Sequence, residues 1–296
     1  MPTISDLKFL WGYYNDDALR PALNTFAVQM FPGLDFSAWN ALGCDMSAYT
    51  PFSFFHHGRV VANVSASPMV LVVEGRRRPA IQIGTVAVLP EYRGHGLVRE
   101  LIERVHCHWQ PTHDLFFLFT HPDASDMYQR FGYRRVQETV FSMPFEPSGL
   151  VPRGARRLDL RSAADLALFG DLTERREPIS FRLGSVEQSW LLLFHASSVY
   201  PQQLFYIEEF DTVVIRTGEG ADLDLIDVIS EKTPTLEQLL PYSCTPQTKL
   251  LRFRFTPDRF VEPGSFSAPD TQSWLYVRGE FCLENQCFTF PETSRA

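Results

Sequence analysis

The sequence lacks any long apolar run and any concentrated basic segment. No apolar run in its 296 residues approaches the roughly 20 residues that a membrane-spanning helix needs, so no membrane partner is expected. The first residues show no basic start followed by an apolar stretch, so we expect no secretory signal. The one basic run, Arg76 to Arg78, is expected at a solvated hairpin tip.

The net charge of the chain is negative, at a formal value of −8. Because binding to nucleic acid needs a concentrated basic surface, nucleic acid is not an expected partner. An acidic surface instead mildly favours cationic partners such as amines, without choosing one.

Cysteine is scarce and scattered. The five cysteines are odd in number and unevenly spaced: Cys44, Cys107, Cys244, Cys282 and Cys287. This pattern favours a reducing cytoplasm over a disulfide framework. Cys282 and Cys287 have no second pair that would complete a zinc site. His106 and His108 flank Cys107, but residues two apart on a helix point to different faces, so we expect no metal.

Two common phosphate-binding motifs are also missing. There is no G-x-x-x-x-G-K-[ST], which excludes a P-loop. There is no G-x-G-x-x-G, so a Rossmann-like nucleotide enzyme loses its main support and is the weakest hypothesis.

Length and composition leave room for two packed domains. A chain of 296 residues with 45% hydrophobic content can build a core in each. Proline and glycine in residues 144–157 mark a boundary near residue 150. We therefore predict domains at residues 1–147 and 148–296.

Hydrophobic periodicity predicts mixed elements in the first half. Residues 7–15 predict a strand and residues 18–31 a helical segment. Residues 49–89 are rich in β-branched and aromatic side chains, with glycine-containing breaks, and predict three consecutive antiparallel strands. From Gly96 onward the apolar residues recur at helical spacing.

The next segments continue this alternation. Residues 114–120 form an apolar run expected of a strand covered on both faces. Residues 123–133 predict a short helix with Asp123 as N-cap and Gly132 as C-terminal stop. Residues 134–145 predict a return to strand.

The second half has patterns of its own. Residues 203–220 predict a hairpin, 222–230 a strand, 235–242 a short helix, 248–255 a strand and 273–290 a final strand pair. This order echoes the first half, but no residue-level repeat supports it.

A short loop separates the third of the predicted antiparallel strands from the helix that follows. A helix that begins near Gly96 exposes free backbone N–H groups and the positive end of its dipole. Glycine lets the backbone approach a ligand closely, and Arg93 adds a permanent positive charge. Residues 93–98 therefore predict a seat for a phosphate or pyrophosphate, with a plain strand-to-helix turn as the alternative.

The residues around this loop, V-x-P-x-Y-R-G-x-G-L, carry a family resemblance. They resemble motif A of the GNAT superfamily of acyl-CoA-dependent N-acyltransferases, whose core is R/Q-x-x-G-x-G/A. Arg93 and Gly96 match the arginine and the first glycine. Val98 stands where the family usually has Gly or Ala. Members of the Eis-type branch also carry larger residues at this position.

A second motif follows in the expected order. Residues 124–133 resemble motif B of the family, A-x-x-x-Y-x-x-x-G-F. Its marked positions are occupied by Ala124, Tyr128, Gly132 and Tyr133, with Tyr in place of the final Phe. The resemblance covers roughly residues 5–145.

The resemblance implies an α/β (α+β) fold and an acyl-CoA site. The expected fold is a mixed, mostly antiparallel GNAT sheet flanked by helices, followed by a second, smaller GNAT-like α/β domain. In this family the strand before motif A holds the pantetheine arm, and the loop after it holds the pyrophosphate of acetyl-CoA. On this sequence the implied cofactor-binding residues are Val86, Ala87, Val88, Arg93, Gly94, His95, Gly96, Leu97 and Val98.

The resemblance also implies direct attack of an amine on the thioester carbonyl. In the family the motif-B tyrosine protonates the departing thiolate, and this role falls on Tyr128. The alternative for Tyr128 is packing on Phe117 or Phe119.

The general base stays open. Residues 80–88 contain no carboxylate, and the other possibilities are His56 or His57, a water chain, or the terminal carboxylate at Ala296, as in Eis-type relatives.

Two hypotheses from different classes remain for the function. The first is an acetyl-CoA-dependent N-acetyltransferase acting on a primary amine of a small molecule or peptide. The second is a non-catalytic acyl-CoA sensor or scaffold.

The C-terminal half of the chain lacks a glycine-containing phosphate loop, so we expect one acyl-CoA per chain. We expect this half to form a wall of the acceptor site. A homodimer is compatible with both hypotheses.

Overall fold

The computed structural model describes residues 6–218, 220–261 and 267–296. Its strands are β1 (Lys8–Trp11), β2 (Thr50–His56), β3 (Arg59–Val73), β4 (Arg76–Val88), β5 (Leu115–Phe119), β6 (Arg134–Val136), β7 (Thr139–Pro144), β8 (Arg156–Arg157), β9 (Leu183–Val186), β10 (Leu204–Ile207), β11 (Thr212–Thr217), β12 (Asp222–Ile229), β13 (Leu250–Phe253), β14 (Ser267–Pro269) and β15 (Leu275–Arg278). Its helices are α1 (Arg20–Met30), α2 (Ser37–Asn40), α3 (Leu97–Trp109), α4 (Ser125–Gln129), α5 (Ala163–Arg175), α6 (Ser189–Phe194) and α7 (Leu236–Ser243). Within these ranges no helix is both long and apolar enough to cross a membrane.

The first sheet is mixed and mostly antiparallel. Its strand order is β1-β2-β3-β4-β5-β15-β6, and β9 pairs with the far end of β3. The pairing of β4 with β5 is parallel, while its other strand pairs are antiparallel. The three consecutive antiparallel strands β2, β3 and β4 confirm the sequence prediction. α3 follows β4 and buries its apolar stripe, which consists of Leu97, Leu101, Ile102 and Val105.

The second sheet has the order β14-β7-β13-β12-β11-β10-β8. Its β10–β11 hairpin confirms the prediction, and the parallel pair is β12 with β13. The mixed α/β fold with two mostly antiparallel sheets is therefore confirmed.

The two sheets exchange strands across residue 147, where the sequence predicted a boundary. β7 lies in the second sheet, and β15 is inserted between β5 and β6 of the first. The predicted strand 134–145 is in fact two strands, because the chain leaves one sheet after Val136 and enters the other at Thr139. Strand periodicity shows which face is buried, but it does not identify the neighbouring strand.

Two local predictions were wrong. The final strand pair expected in residues 273–290 is a single strand, β15, because residues 279–290 leave the sheet and cover it with loops and turns. Asp123 does not cap α4, whose N-cap is Ala124, because a 3₁₀ turn over Pro122–Ala124 already includes the aspartate.

The last residues of the chain are fixed by polar contacts with several elements. The Tyr200 hydroxyl donates to Glu292 at 2.6 Å, and the Thr293 hydroxyl donates to Asp227. Ser294 accepts from the side-chain amide of Gln188 at 2.9 Å. These hydrogen bonds hold the end of the chain beside the first sheet.

A buried ion pair supports this segment. The Arg176 guanidinium donates to both carboxylate oxygens of Asp227, at 2.9 and 2.8 Å, and the two side chains are 2% and 1% exposed. An uncompensated charge would remain if either partner were removed.

We predict that Asp227→Asn lowers the free energy of unfolding by about 3–5 kcal/mol, because it leaves Arg176 buried without its counter-charge. The matched control is Glu103→Gln, which breaks an exposed pair with Arg99 and should cost less than about 1 kcal/mol. Urea unfolding followed by circular dichroism measures both. Equal losses in the two variants would contradict the structural role of the buried pair.

Candidate functional site

A cavity of about 770 Å³ opens where β4 and β5 separate. Their parallel pairing runs from Ala80 opposite Leu115 to Ile83 opposite Leu118 and goes no further. β4 nevertheless continues to Val88, still paired on its other side with β3. Residues 84–88 therefore present main-chain polar groups along one edge, and an extended ligand can pair with such an edge.

A β-bulge and a buried hydrogen-bond network shape this edge. The β3–β4 register shifts between Asn63 and Ser65, and Thr85 adopts a φ of 48°, which is uncommon for a β-branched residue. The Asn63 amide donates to the Thr85 carbonyl at 2.8 Å and to the Ser65 hydroxyl at 3.0 Å. The Tyr49 hydroxyl lies 2.7 Å from that of Thr85. Burial raises the pKa of Tyr49 to about 12, so this wall of the cavity is uncharged.

The loop after β4 brings an uncapped helix end to the cavity. Gly94 and Gly96 have φ values of 81° and 74°, a region that favours glycine, and α3 begins at Leu97. Among the residues that the structure describes, no side chain caps α3, so the N–H groups of its first turn are open to a ligand. Arg93 lines the cavity and donates to the Val88 carbonyl at 3.4 Å. No carboxylate of a described residue forms an ion pair with Arg93.

The corresponding helix of the second sheet differs. α7 follows β12, as α3 follows β4, but it has a capping box. The Thr235 side chain accepts from the Gln238 N–H at 3.4 Å, and the Gln238 side chain accepts from the Thr235 N–H at 2.9 Å. The helix's own side chains thus occupy donors that a phosphate would need.

Tyr128 lies on α4 and faces the same cavity. It is 4% exposed, and burial raises the pKa of its phenol, while a hydrogen bond with Thr120 opposes that shift. The phenol therefore stays protonated at neutral pH. Tyr133, the other motif tyrosine, does not line the cavity and instead bonds His106 at 3.0 Å.

The structure brings together five of the expected site residues at the cavity wall: Val86, Val88, Arg93, Val98 and Tyr128. Ala87 does not line it, because successive side chains of a strand alternate in direction. Gly94, His95 and Gly96 form the exposed loop beside the cavity, and Leu97 is turned into the core.

The candidate general bases do not all lie at the main cavity. His56 and His57 line a separate cavity with Lys8 and Leu19. Ala296 lines the main cavity beside Gly84, where a Cβ would lie 3.1 Å from the main-chain oxygen of Ala296, so this close approach favours glycine. The role of Ala296 as base stays a prediction of the resemblance.

Contacts on the preceding residue hold Ala296 in place. The Arg295 guanidinium donates to Glu138 at 3.0 Å, and the Nε2–H of His195 donates to the Arg295 carbonyl at 2.9 Å. Burial raises the pKa of Glu138, and the nearby Arg295 charge opposes that shift.

Sequence reasoning missed the aromatic wall of the cavity. The residues that form this wall are Phe36, Trp39, Tyr49, Trp190 and Phe194. They come from both halves of the chain and carry no motif. The only sequence signal was their aromatic content, which is equally typical of an ordinary core. Across the ranges that the structure covers, no group of three or more His, Cys, Asp and Glu residues could hold a metal ion.

A comparison with protein families matches one part of the chain. Residues 51–136 match the model of the GNAT acetyltransferase domain. No curated protein matches the sequence.

Several solved structures share the fold over most of the chain. Eis1 from Mycobacterium abscessus has a TM-score of 0.57 at 16% identity, covering 93% of this chain and 73% of that one. A GCN5-related N-acetyltransferase from Kribbella flavida has a TM-score of 0.52 at 17% identity, covering 94% and 72%. A probable N-acyltransferase from Enterococcus faecalis has a TM-score of 0.55 at 13% identity, covering 92% and 72%.

Proposed function

We propose a reaction for this chain, whose residues 51–136 match the model of the GNAT acetyltransferase domain. It transfers the acetyl group of acetyl-CoA to a primary amine of a small molecule or peptide by direct attack. One observation carries this proposal: the free edge of β4, the uncapped start of α3 and the Tyr128 phenol all border one cavity.

The cofactor fits the main-chain groups that this cavity offers. The amides of the pantetheine arm would pair with the free edge at residues 86–88, as an added strand would. The pyrophosphate would take the N–H groups of residues 94–98, where the helix dipole favours negative charge, with Arg93 beside it. Val98 is half-buried and borders the cavity, so its side chain would narrow this seat.

We predict that Arg93→Gln raises the Kd for CoA about tenfold, which corresponds to about 1.4 kcal/mol, because an exposed charge-assisted contact with the pyrophosphate is lost. Arg99→Gln is the matched control, since Arg99 lies on α3, directly after the loop that carries Arg93, but pairs with Glu103. Calorimetry at low and moderate salt measures both variants. Equal affinities for Arg93→Gln and the parent protein would remove Arg93 from the site.

Acyl transfer needs a polarised carbonyl, an unprotonated amine and a proton for the departing thiolate. Main-chain N–H near Val88 would polarise the thioester carbonyl. Tyr128 would donate the proton to sulfur. Burial disfavours the charged form of both the phenol and the thiolate, so the cavity raises the pKa of donor and acceptor together.

We predict that Tyr128→Phe lowers kcat by roughly 10²- to 10⁴-fold, the usual contribution of a general acid, while acetyl-CoA affinity stays nearly unchanged. Tyr133→Phe is the control, because it removes a buried phenol of the same motif that does not face the cavity. Steady-state thiol release and calorimetry measure the two quantities. Full activity of Tyr128→Phe would return this tyrosine to a packing role.

A second candidate function is a non-catalytic acyl-CoA sensor. It is favoured by one observation: among the described cavity-lining residues, none has a carboxylate side chain to act as base. Thiol release from acetyl-CoA with a pooled amine library discriminates the two. Turnover supports the enzyme, whereas cofactor binding without turnover of any amine supports the sensor.

Under this proposal the two predicted halves have different roles at the cavity. Residues 1–147 would carry the acyl-CoA seat, and residues 148–296 contribute Trp190, Leu191 and Phe194 to the wall of the same cavity. The capping box of α7 supports a single acyl-CoA per chain, since it occupies the donors that a second pyrophosphate would use.

A further inference from the structure

The aromatic wall (Phe36, Trp39, Tyr49, Trp190 and Phe194) joins the two halves of the chain at the cavity. Trp39 on α2 lies 6.0 Å from Trp190 and 5.7 Å from Phe194, both on α6, measured between ring centroids. Phe36 lies 5.9 Å from Phe194, and Tyr49 lies 6.4 Å from Trp190. Tilted and edge-on packing fixes these rings, so the wall is a preformed apolar surface.

The charges around the cavity are few. The titratable side chains that line it, within the described ranges, are Tyr49, Arg93, His121 and Tyr128. None of these side chains is negatively charged at neutral pH, because burial raises the pKa of both tyrosine phenols.

This distribution limits the charge that an acceptor can carry. A buried ammonium group is costly unless an anion or hydrogen-bond acceptors compensate it. Aromatic faces can stabilise one ammonium group by cation–π attraction and can also cover an apolar body. A second or third ammonium group would find no carboxylate side chain on the described lining.

We propose that the acceptor is an amine with one cationic group and an apolar, ring-sized body, and that the aromatic wall selects it against polyamines and other polycations. The inference rests on the proposed acetyl transfer and names the substrate class of the same site. Phe36, Trp39 and Tyr49 from the first half and Trp190 and Phe194 from the second are the specificity residues.

Matched amines test this selection at saturating acetyl-CoA. We expect kcat/KM for 2-phenylethylamine to exceed that for ethylamine by at least tenfold, since even one methylene in an apolar pocket is worth roughly 10- to 200-fold. We expect it also to exceed, by at least tenfold, the value for 2-(4-aminomethylphenyl)ethylamine, which has the same ring and one more ammonium group. Butylamine against 1,4-diaminobutane repeats the charge comparison without a ring.

A variant pair then assigns the selection to the wall. Phe194→Glu places a carboxylate at a half-buried position of the wall and should shift the diamine-to-monoamine ratio of kcat/KM by at least tenfold toward the diamine. Phe194→Leu is its control, because it removes the ring without adding charge and should leave that ratio nearly unchanged. The Kd for acetyl-CoA and the circular dichroism spectrum verify that each variant is folded. If Phe194→Glu does not fold, the amine series on the parent protein still decides.

The possible outcomes distinguish a failure of the proposed acceptor class from a failure of the proposed acetyl transfer. Turnover that favours the diamines overturns the inference and leaves the acetyl transfer standing. Faster transfer from octanoyl-CoA than from acetyl-CoA to 2-phenylethylamine would assign the wall to the acyl chain and also overturn it. Acetyl-CoA binding without turnover of any amine overturns the proposed function, and the inference falls with it.

Discussion

The separation of β4 from β5 after Ile83 is the constraint on which the rest of the site depends. A parallel pair that stayed together to Val88 would fill the space and satisfy the main-chain groups that now border the cavity. The bulge at Thr85 bends β4 away, and the Asn63 amide holds the Thr85 carbonyl at 2.8 Å so that the strained residue has one stable position. The polar network is buried, so breaking it would leave unsatisfied groups, which makes the bent geometry rigid.

The second constraint is the exchange of strands between the sheets. β15 completes the first sheet beside β5, and β7 enters the second, so neither sheet is built from one half alone. The polar contacts of residues 290–295 extend this coupling to the cavity, where the second half supplies Trp190 and Phe194 to the wall. Under the proposed function, the cofactor seat is formed by one segment of the sequence, whereas the acceptor wall needs residues from both halves of the folded chain.

The difference between local and long-range contacts explains which features could be predicted from the sequence. The loop at residues 93–98, α3 and the hairpins of β2, β3 and β4 depend on local chemistry: glycines with positive φ, an arginine and period-two alternation. The contact of Ala296 with Gly84 and the insertion of β15 depend on pairings between residues far apart, which periodicity does not encode. The aromatic wall was missed for the same reason, since its rings resemble core residues until the cavity beside them is known. Val86, Val88, Arg93, Val98 and Tyr128 all line one cavity, because the two local motifs and the strand that carry them border it, and their roles there stay predictions.

The most direct test of the central claim is amide hydrogen exchange with and without CoA. The account predicts slower exchange in two segments, residues 84–88 and 94–99, because the ligand would pair with the free edge of β4 and with the uncapped start of α3. Exchange in β12, β13 and α7 should stay unchanged, since α7 carries its own cap. Protection confined to the second sheet, or binding without protection at residues 84–88, would contradict the claim that the separation of β4 and β5 forms the cofactor site.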